Sequence, residues 1–519
     1  DSKHPLARSL PVKQFYYPDS VAVIGVSSRP GNLGRNIAAN LKTFGFQGPV
    51  YYVSPRGGEL KGQPIYSDIR ELPATPELAV ILTPARTVPE LMKACAEKGV
   101  KRVIVESGGF SELDQGRGNL ELELKSIARE NGMRFIGPNC IGVISTDSGL
   151  AVPFPLITKP TKAGGLSIVA QSGGIGLTYL HHFSDSGVGV AKFASVGNKL
   201  NVNEEDFLAY LIEDPKTEII LLYLESIVAG RRMFDLISAT DKPVVVHKSN
   251  VGSTSHKIAQ SHTAALANDD AVVDAALEQA GAIRAYTVND CFNIIKGLNM
   301  PRMKGRRLAV ISRSGGHAVV AADAAHRMQM ELPPYPSSYL ETIQEHTRAS
   351  VIKLQNPLDL GDLFDFHFYV EILKGALALS EVDGVLVVHG YRGPETESSR
   401  QYINKAGELS REYQKPVGMV LLTDAEELPI IKGISTLPIF SAPEEAMLAL
   451  HASARAGQNK PAVKPPLPEG LNIEACRQVI KAAQPDGSLE LPEALHLLAA
   501  AGIPVAPFVA AADADEAAG

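Results

Sequence analysis

Cysteine is scarce in this chain and never clustered. The four residues Cys95, Cys140, Cys291 and Cys476 stand far apart with no CxxC pair, which argues against a zinc site and a disulfide framework and fits a reducing compartment. No run of five or more Lys or Arg occurs, and the net charge is −7 at a pI near 6.0. Neither nucleic acid nor an anionic membrane is therefore expected as the main partner, and any anionic ligand must be held by local geometry. Apolar runs are about strand length, well short of the roughly 20 residues of a membrane-spanning helix. The start Asp1-Ser2-Lys3-His4-Pro5 lacks the pattern of a secretory signal. A cytoplasmic protein with no metal site of its own is the expectation.

What is present is material for three or four ordinary soluble domains: 519 residues, 45% hydrophobic and 21% charged. Short β-branched runs alternate with longer helical patterns, the mark of parallel α/β units. In the first segment strands are expected at 20–24, 50–53, 78–82 and 102–105. They are apolar almost without interruption, so both faces should be buried. A short strand at 134–136 leads into Gly137-Pro138-Asn139-Cys140, and 153–165 is a Pro/Gly/Lys-rich connection, which places the first domain at 1–150. Two copies of one framework follow, at 151–299 and 300–456. Leu166-Ser167-Ile168-Val169-Ala170-Gln171-Ser172-Gly173-Gly174 recurs as Leu308-Ala309-Val310-Ile311-Ser312-Arg313-Ser314-Gly315-Gly316, and later strands correspond as well. The second copy has no counterpart of Ser261-His262-Thr263 and no glutamate where Glu225 stands. Chemistry therefore belongs to the first copy. A linker at 457–470 leads to 471–519, too short for a domain and read as the beginning of a fourth.

Three glycine-bearing turns suit phosphate. The first, Gly25-Val26-Ser27-Ser28-Arg29-Pro30-Gly31-Asn32-Leu33-Gly34, follows a strand and opens a helix, where backbone N–H groups meet a pyrophosphate. It is longer than GxGxxG, and the second strand runs into Ser54-Pro55-Arg56 instead of an acidic ribose reader. Arg29 and Arg56 point to a ligand with an extra phosphate; a bare βα turn is the plain alternative. The second turn, Gln171-Ser172-Gly173-Gly174, offers a hydroxyl and open amides to a single phosphate. The third, at 312–316, repeats its shape. His262 lies among small residues soon after the strand-like run 243–248. Its imidazole is nucleophilic at neutral pH and has room for a phosphoryl group, although an ordinary capping histidine would look the same. Parallel strands gather their carboxyl ends on one edge, so Ser172, Glu225 and His262 are expected to converge. Glu225 would fix the tautomer of the ring and support its positive charge.

The order of these stretches resembles the NDP-forming acyl-CoA synthetases, the superfamily of succinyl-CoA synthetase and ADP-forming acetyl-CoA synthetase. The resemblance is carried by Ser20-Val21-Ala22-Val23-Ile24-Gly25-Val26-Ser27, Ile136-Gly137-Pro138-Asn139-Cys140-Ile141-Gly142, Ala170-Gln171-Ser172-Gly173-Gly174, Ser195-Val196-Gly197-Asn198-Lys199, Leu222-Tyr223-Leu224-Glu225, Ser261-His262-Thr263 and Asn356-Pro357-Leu358-Asp359. The tail from about Leu471 is similar to the beginning of that family's ATP-grasp domain. Departures fall at Gly174-Ile175 and at Glu106-Ser107-Gly108-Gly109-Phe110, where Ser-Ala-Gly-Phe is more usual.

The resemblance implies a Rossmann-like CoA-binding domain, two flavodoxin-like succinyl-CoA synthetase-type domains and the start of an ATP-grasp domain. It implies that coenzyme A is held by Gly25, Val26, Ser27, Arg29, Gly34, Val53, Ser54, Pro55, Thr83, Pro84, Ser107 and Asn139. Phosphate would be held by Ser172, Gly173 and Gly174, with His262 as phosphoryl carrier and Glu225 as its stabiliser. ATP with Mg²⁺ at an ATP-grasp domain would phosphorylate the histidine, which passes the group to a small carboxylic acid. The CoA thiol then attacks the acyl phosphate, releasing phosphate and leaving acyl-CoA and ADP as products. A homo-oligomer is expected. Two other readings stand beside this one. A CoA-binding regulatory scaffold of a protein lysine acetyltransferase would typically lack the histidine present here, and a nicotinamide dehydrogenase is disfavoured by the long turn and the missing acid.

Overall fold

A computed structural model of the chain describes residues 10–110, 118–252, 254–255, 269–346, 354–361, 363, 365–458, 470–483, 488–509 and 511. They divide into two units, Asp1–Pro461 and Ala462–Gly519. In the first unit Val21–Ile24 (β1), Val50–Val53 (β2), Gly58–Leu60 (β3), Gln63–Tyr66 (β4), Leu78–Ile81 (β5), Arg102–Val105 (β6) and Arg134–Ile136 (β7) form one sheet in the order β3-β4-β2-β1-β5-β6-β7. Its strands are parallel except β3. Alternate residues of β1 serve two cores. Val21 and Val23 face Phe15, Ile37 and Leu41, while Ala22 and Ile24 face Met92, Cys95 and Ile127 on the other side. Near-continuous apolar strands are what this double burial requires.

The chain crosses to a second sheet earlier than composition indicates. Val143–Ser145 (β8) and Leu150–Ala151 (β9) belong to it, because β8 pairs antiparallel with Val190–Ser195 (β11). With Leu166–Ala170 (β10), Ile219–Leu224 (β12), Val244–Lys248 (β13) and Ile283–Ala285 (β14) the order is β14-β13-β12-β10-β11-β8-β9. The third sheet holds Leu308–Ser312 (β15), Leu358–Asp359 (β16), Gly384–Gly390 (β17), Val417–Leu422 (β18) and Ile439–Phe440 (β19) in the order β16-β15-β17-β18-β19. Leaving out β8 and β9, the second and third sheets have the same order, with the first strand between the second and third. That is the flavodoxin-like arrangement, and its ligand crevice lies at the carboxyl ends of the first and third strands.

Helix Pro443–Gln458 joins the two copies. Ala446, Ala449 and Leu450 enter the core of the third sheet, whereas Ala452 and Ala456 enter that of the second. Its crossing with helix Val288–Leu298 is so close that a Cβ at Gly297 would lie 2.1 Å from the carbonyl oxygen of Ala449, so glycine is required there. The second unit contributes helices Ile473–Ala482 and Leu491–Ala500. No helix among the described residues is long and apolar enough to cross a membrane.

Candidate functional site

The carboxyl ends of β1, β2, β5, β6 and β7 carry all the residues expected to meet coenzyme A. Gly25 leaves β1 with φ +105°, and a Cβ there would lie 2.2 Å from the carbonyl oxygen of Leu82. Only glycine lets the turn close onto the end of β5. The N–H groups of Gly25 and Val26 both point to Val53 O. The side chains of Val26 and Val53 are buried, so what these two offer a ligand is backbone. Asn32, which caps helix Leu33–Phe44, braces the turn. Its Oδ1 accepts from the N–H groups of Ser27 and Arg35, and its Nδ2 donates to Gly25 O at 2.9 Å. Gly34 packs close beneath, where a Cβ would be 3.1 Å from Gly25 O. A cavity of about 410 Å³ opens beside this turn, lined by Gly25, Ser27, Arg29, Ser54, Pro55 and Arg56 among others. Farther along the edge Thr83 N–H donates to Ser107 Oγ at 3.0 Å, Asn139 N–H donates to Ser107 O at 2.9 Å, and Pro84 leads into a short 3₁₀ turn.

A second edge is built at the ends of β10 and β12. Gln171 Oε1 accepts from the N–H of Glu225 at 2.8 Å and of Ser226 at 3.1 Å, so the turn after β10 and the end of β12 are tied by one side chain. Ser172 caps helix Gly173–Asp185 with extended backbone, and its hydroxyl makes no capping bond. Gly173 lies against Ile141, whereas a Cβ on Gly174 would meet nothing within 4 Å. The helix therefore begins with open N–H groups beside an uncommitted hydroxyl, a ready anion site. Asn250 Nδ2 donates to Glu225 O at 3.3 Å.

The two edges meet. Asn139 Nδ2 donates to Asn198 Oδ1 at 3.4 Å, and Asn198 N–H donates to Pro138 O at 3.0 Å. The next residue, Lys199, is buried and donates to Glu204 Oε1 at 2.9 Å and to Ser226 O at 2.8 Å. A continuous line of contacts thus runs from Thr83 and Ser107 through Asn139, Asn198, Lys199 and Ser226 to Gln171 and Ser172. Gln171, Asn198 and Lys199 lie inside stretches that the sequence singles out, but their bridging depends on strand order, which composition does not reveal. Ser261, His262 and Thr263 lie outside the described residues. The strand that precedes them, β13, ends with Lys248 in register with Leu224, so the chain leaves the sheet beside Glu225.

Glu106, just past the end of β6 and part of the stretch that departs from the family pattern, is placed by the structure where that departure alone would not put it. It is 3% exposed, neither carboxyl oxygen has a hydrogen-bond partner, and a Cβ on Gly142 would fall 2.5 Å from Oε1. Burial pushes the carboxyl well above its ordinary range. Because the folded state holds this proton more tightly than the unfolded one, stability is greatest below the unfolded glutamate value, about 4.3, and declines as pH rises towards the folded value. Glu106→Gln is expected to remove that decline. In thermal melts from pH 5 to 9 the variant should gain on the parent as pH rises, and a variant that instead loses ground at high pH would mean an ionised, paired carboxylate.

Comparison with known proteins agrees with this construction. The CoA binding domain family matches residues 19–146, and the succinyl-CoA ligase-like flavodoxin domain family matches 163–298. The α subunit of acetate–CoA ligase (ADP-forming) I of Pyrococcus furiosus is 32% identical over 451 residues, covering 85% of this chain and 96% of that subunit. Acetate–CoA ligase (ADP-forming) I of Archaeoglobus fulgidus is 33% identical over 512 residues, covering 98% of this chain and 73% of that enzyme. Among solved structures, acetyl-coenzyme A synthetase 1 of Candidatus Korarchaeum cryptofilum, in complex with phosphate and ADP, superposes with a TM-score of 0.79 at 28% identity, over 86% of this chain and 98% of that one. With two Rossmann-type edges joined as described and identities above 30% over most of its length, the chain belongs to the family of ADP-forming acetate–CoA ligases.

Proposed function

We propose that this chain carries the CoA-binding and phosphoryl-carrying half of an ADP-forming acyl-CoA ligase. The observation that supports it best is the unbroken line of contacts from Ser107 and Asn139 to Gln171 and Ser172, which sets a CoA-type edge against an anion-binding edge. A carboxylate cannot expel oxide, so it must first receive a phosphate leaving group. In this reading His262 carries the phosphoryl group, Glu225 supports the positive charge of the phosphorylated ring, and the Ser172–Gly173 helix start neutralises the phosphoryl oxygens. The acid takes the group, and the CoA sulfur attacks the acyl carbon. The C–S bond forms as the C–O bond to phosphate breaks, giving thioester and inorganic phosphate.

Coenzyme A would lie along the first edge, its pyrophosphate at the turn 25–34 and its extra phosphate near Arg29 and Arg56. Acetate, the acid named for the relatives, is the first candidate among small monocarboxylates. We assign 471–519 to the opening of an ATP-grasp domain that would hold ATP and Mg²⁺. The longer A. fulgidus ligase, unlike the P. furiosus subunit, matches over 98% of the chain, which supports that assignment. The free thiols of Cys95, Cys140, Cys291 and Cys476 suit a cytoplasmic enzyme, and a homo-oligomer is expected from light scattering. The complete enzyme, given ATP, Mg²⁺, CoA and a panel of carboxylic acids, should form thioester with one ADP and one phosphate per turnover. Release of AMP and pyrophosphate, or no thioester with any acid despite CoA binding, would refute the reading.

A further inference from the structure

A second cavity, of about 760 Å³, lies along helix Leu33–Phe44, within the roughly 300–1,000 Å³ of small-molecule sites. The helix packs on the face of the first sheet that carries Val21 and Val23, and the sheet continues past it through β2, β4 and β3. Val50 and Tyr52 are in register with Val21 and Val23 and share their face, yet they are only half-buried. A groove is left between the helix and this part of the sheet. It reaches Gly48, Pro49 and Val50 at the start of β2, about 10 Å from the carboxyl end where coenzyme A is proposed to lie. Its charge is one-sided. Arg35 in the first turn of the helix, Lys42 in the last and Lys61 between β3 and β4 line it, and no aspartate or glutamate among the described residues does. Arg35 donates to Ser28 O at 3.1 Å, the two lysines are exposed, and none of the three is in an ion pair among the described residues. The rest of the argument lies in the rings and amides of the lining. Phe46 and Tyr52 contribute aromatic rings, while Asn36 uses its Nδ2 on Phe154 O at 3.0 Å. Asn36 Oδ1, the Gln63 amide and the Tyr52 hydroxyl have no hydrogen-bond partner among the described residues. Burial raises the Tyr52 hydroxyl above its ordinary value, which keeps it a donor at neutral pH.

Three cations with no anion beside them, in a chain of net charge −7, call for a ligand that carries several negative charges. Unpartnered donors and acceptors next to two rings call for one that also has a flat body with polar edges. A nucleoside polyphosphate has both. We propose that this groove binds one, with its phosphates among Arg35, Lys42 and Lys61, its base against Phe46 and Tyr52, and the base edge read by Gln63 and Asn36. Such a site stands apart from the acyl-transfer chemistry proposed above and does not depend on it. Pro30, Gly31 and Asn32 border both this groove and the cavity beside the coenzyme A turn, so coenzyme A, itself an adenosine phosphate, is the competitor that must be excluded.

The probe is 2-azido-ADP. After photolysis with the complete enzyme, peptide mapping should find label between residues 35 and 63, apart from any in an ATP-grasp domain, and saturating coenzyme A should leave it in place. Lys42→Ala combined with Lys61→Ala is expected to lower that label about tenfold or more, the effect of losing two charge-assisted contacts, with coenzyme A affinity kept within about twofold. Both side chains are exposed, so the fold should tolerate the change. A measurement without variants stands beside it. Unlabelled ADP should compete for the label about tenfold better than adenosine, because only ADP brings phosphates to the cations. No label between residues 35 and 63, label removed by coenzyme A, label undiminished in the double variant, or adenosine competing as well as ADP would each overturn the proposal.

Discussion

Replacing His262 by alanine is expected to abolish acid-labile phosphate incorporation from acetyl phosphate and to lower thioester formation by the complete enzyme by about 10⁴-fold or more, as loss of a covalent nucleophile does. Coenzyme A affinity should stay within about twofold, since the residues proposed to bind it lie on the first sheet. The force of the prediction comes from the other histidines. His247 is on β13 just before Lys248, but it is 7% exposed and its Nδ1 is bonded to Tyr179 Oη at 2.5 Å, on the opposite face of the strand end; burial also lowers its proton affinity. His182 is stacked on Phe292 at 3.4 Å, and His389 is buried against Ser399. His317 is the rival, because it follows the third sheet's Ser-Gly-Gly turn and its Nδ1 lies 3.1 Å from Ser314 Oγ. That edge has Gly390 where Glu225 stands in the other copy, so no carboxylate occupies the place needed to stabilise a charged phosphorylated ring. Phosphate retained in His262→Ala and lost in His317→Ala would move the carrier to the third sheet and refute the assignment.

What the sequence reveals and what it hides divide along a physical line. Strands buried on both faces must be apolar throughout, so β1, β5, β6, β10 and β12 are readable as short β-branched runs, and the turns after them are readable because a helix start at a strand end needs glycine or a capping side chain. The duplication is readable for the same reason, since Leu166–Ala170 and Leu308–Ser312 meet identical demands. The crossing between the first two sheets is not. Val143, Ile144, Leu150 and Ala151 would be buried apolar residues whichever sheet they joined, and only the antiparallel pairing of Val143 with Ala194 decides it. Bridging residues are hidden in the same way. Gln171 is recognisable as part of a turn, but the two N–H groups it receives come from a strand more than fifty residues later. Glu106 is hidden by its chemistry. An acidic residue at a strand end reads as a solvent-facing or ligand-facing group, and its burial beneath Gly142 follows from the packing of two sheets.

Lys199→Met tests the junction of the two edges and should be the most damaging substitution for stability, at about 3–5 kcal/mol, the usual cost of removing one partner from a buried ion pair. Lys199 is 4% exposed at its side chain and Glu204 1%. Beside Glu204 stands Glu205, fully buried, with one oxygen accepting from Ala229 N–H at 2.9 Å. Burial, and then the charge of Glu204, raise the carboxyl of Glu205. Without the ammonium both carboxylates face each other at the start of helix Glu204–Glu213, where the helix end offsets only part of the charge. Methionine fills the space of the lysine stem, so the loss is of charge and of the hydrogen bond to Ser226 O. Removing the ammonium takes away a charge that lowers the Glu205 carboxyl, so in the variant the folded state holds that proton more tightly than the unfolded chain does. Stability is therefore retained below the unfolded glutamate values and lost as pH rises past them. Denaturant titrations at pH 5 and pH 8 should show a larger deficit at pH 8, and adding Glu204→Gln should recover much of it, because that second change removes the uncompensated charge. Recovery of stability should not restore function. Ser226 and Asn198 would still have lost the lysine between them, so labelling of His262 from acetyl phosphate should recover while thioester formation, which needs both edges in register, stays slow. A deficit below about 1 kcal/mol that does not vary with pH would show that the pair is not the clamp its burial indicates.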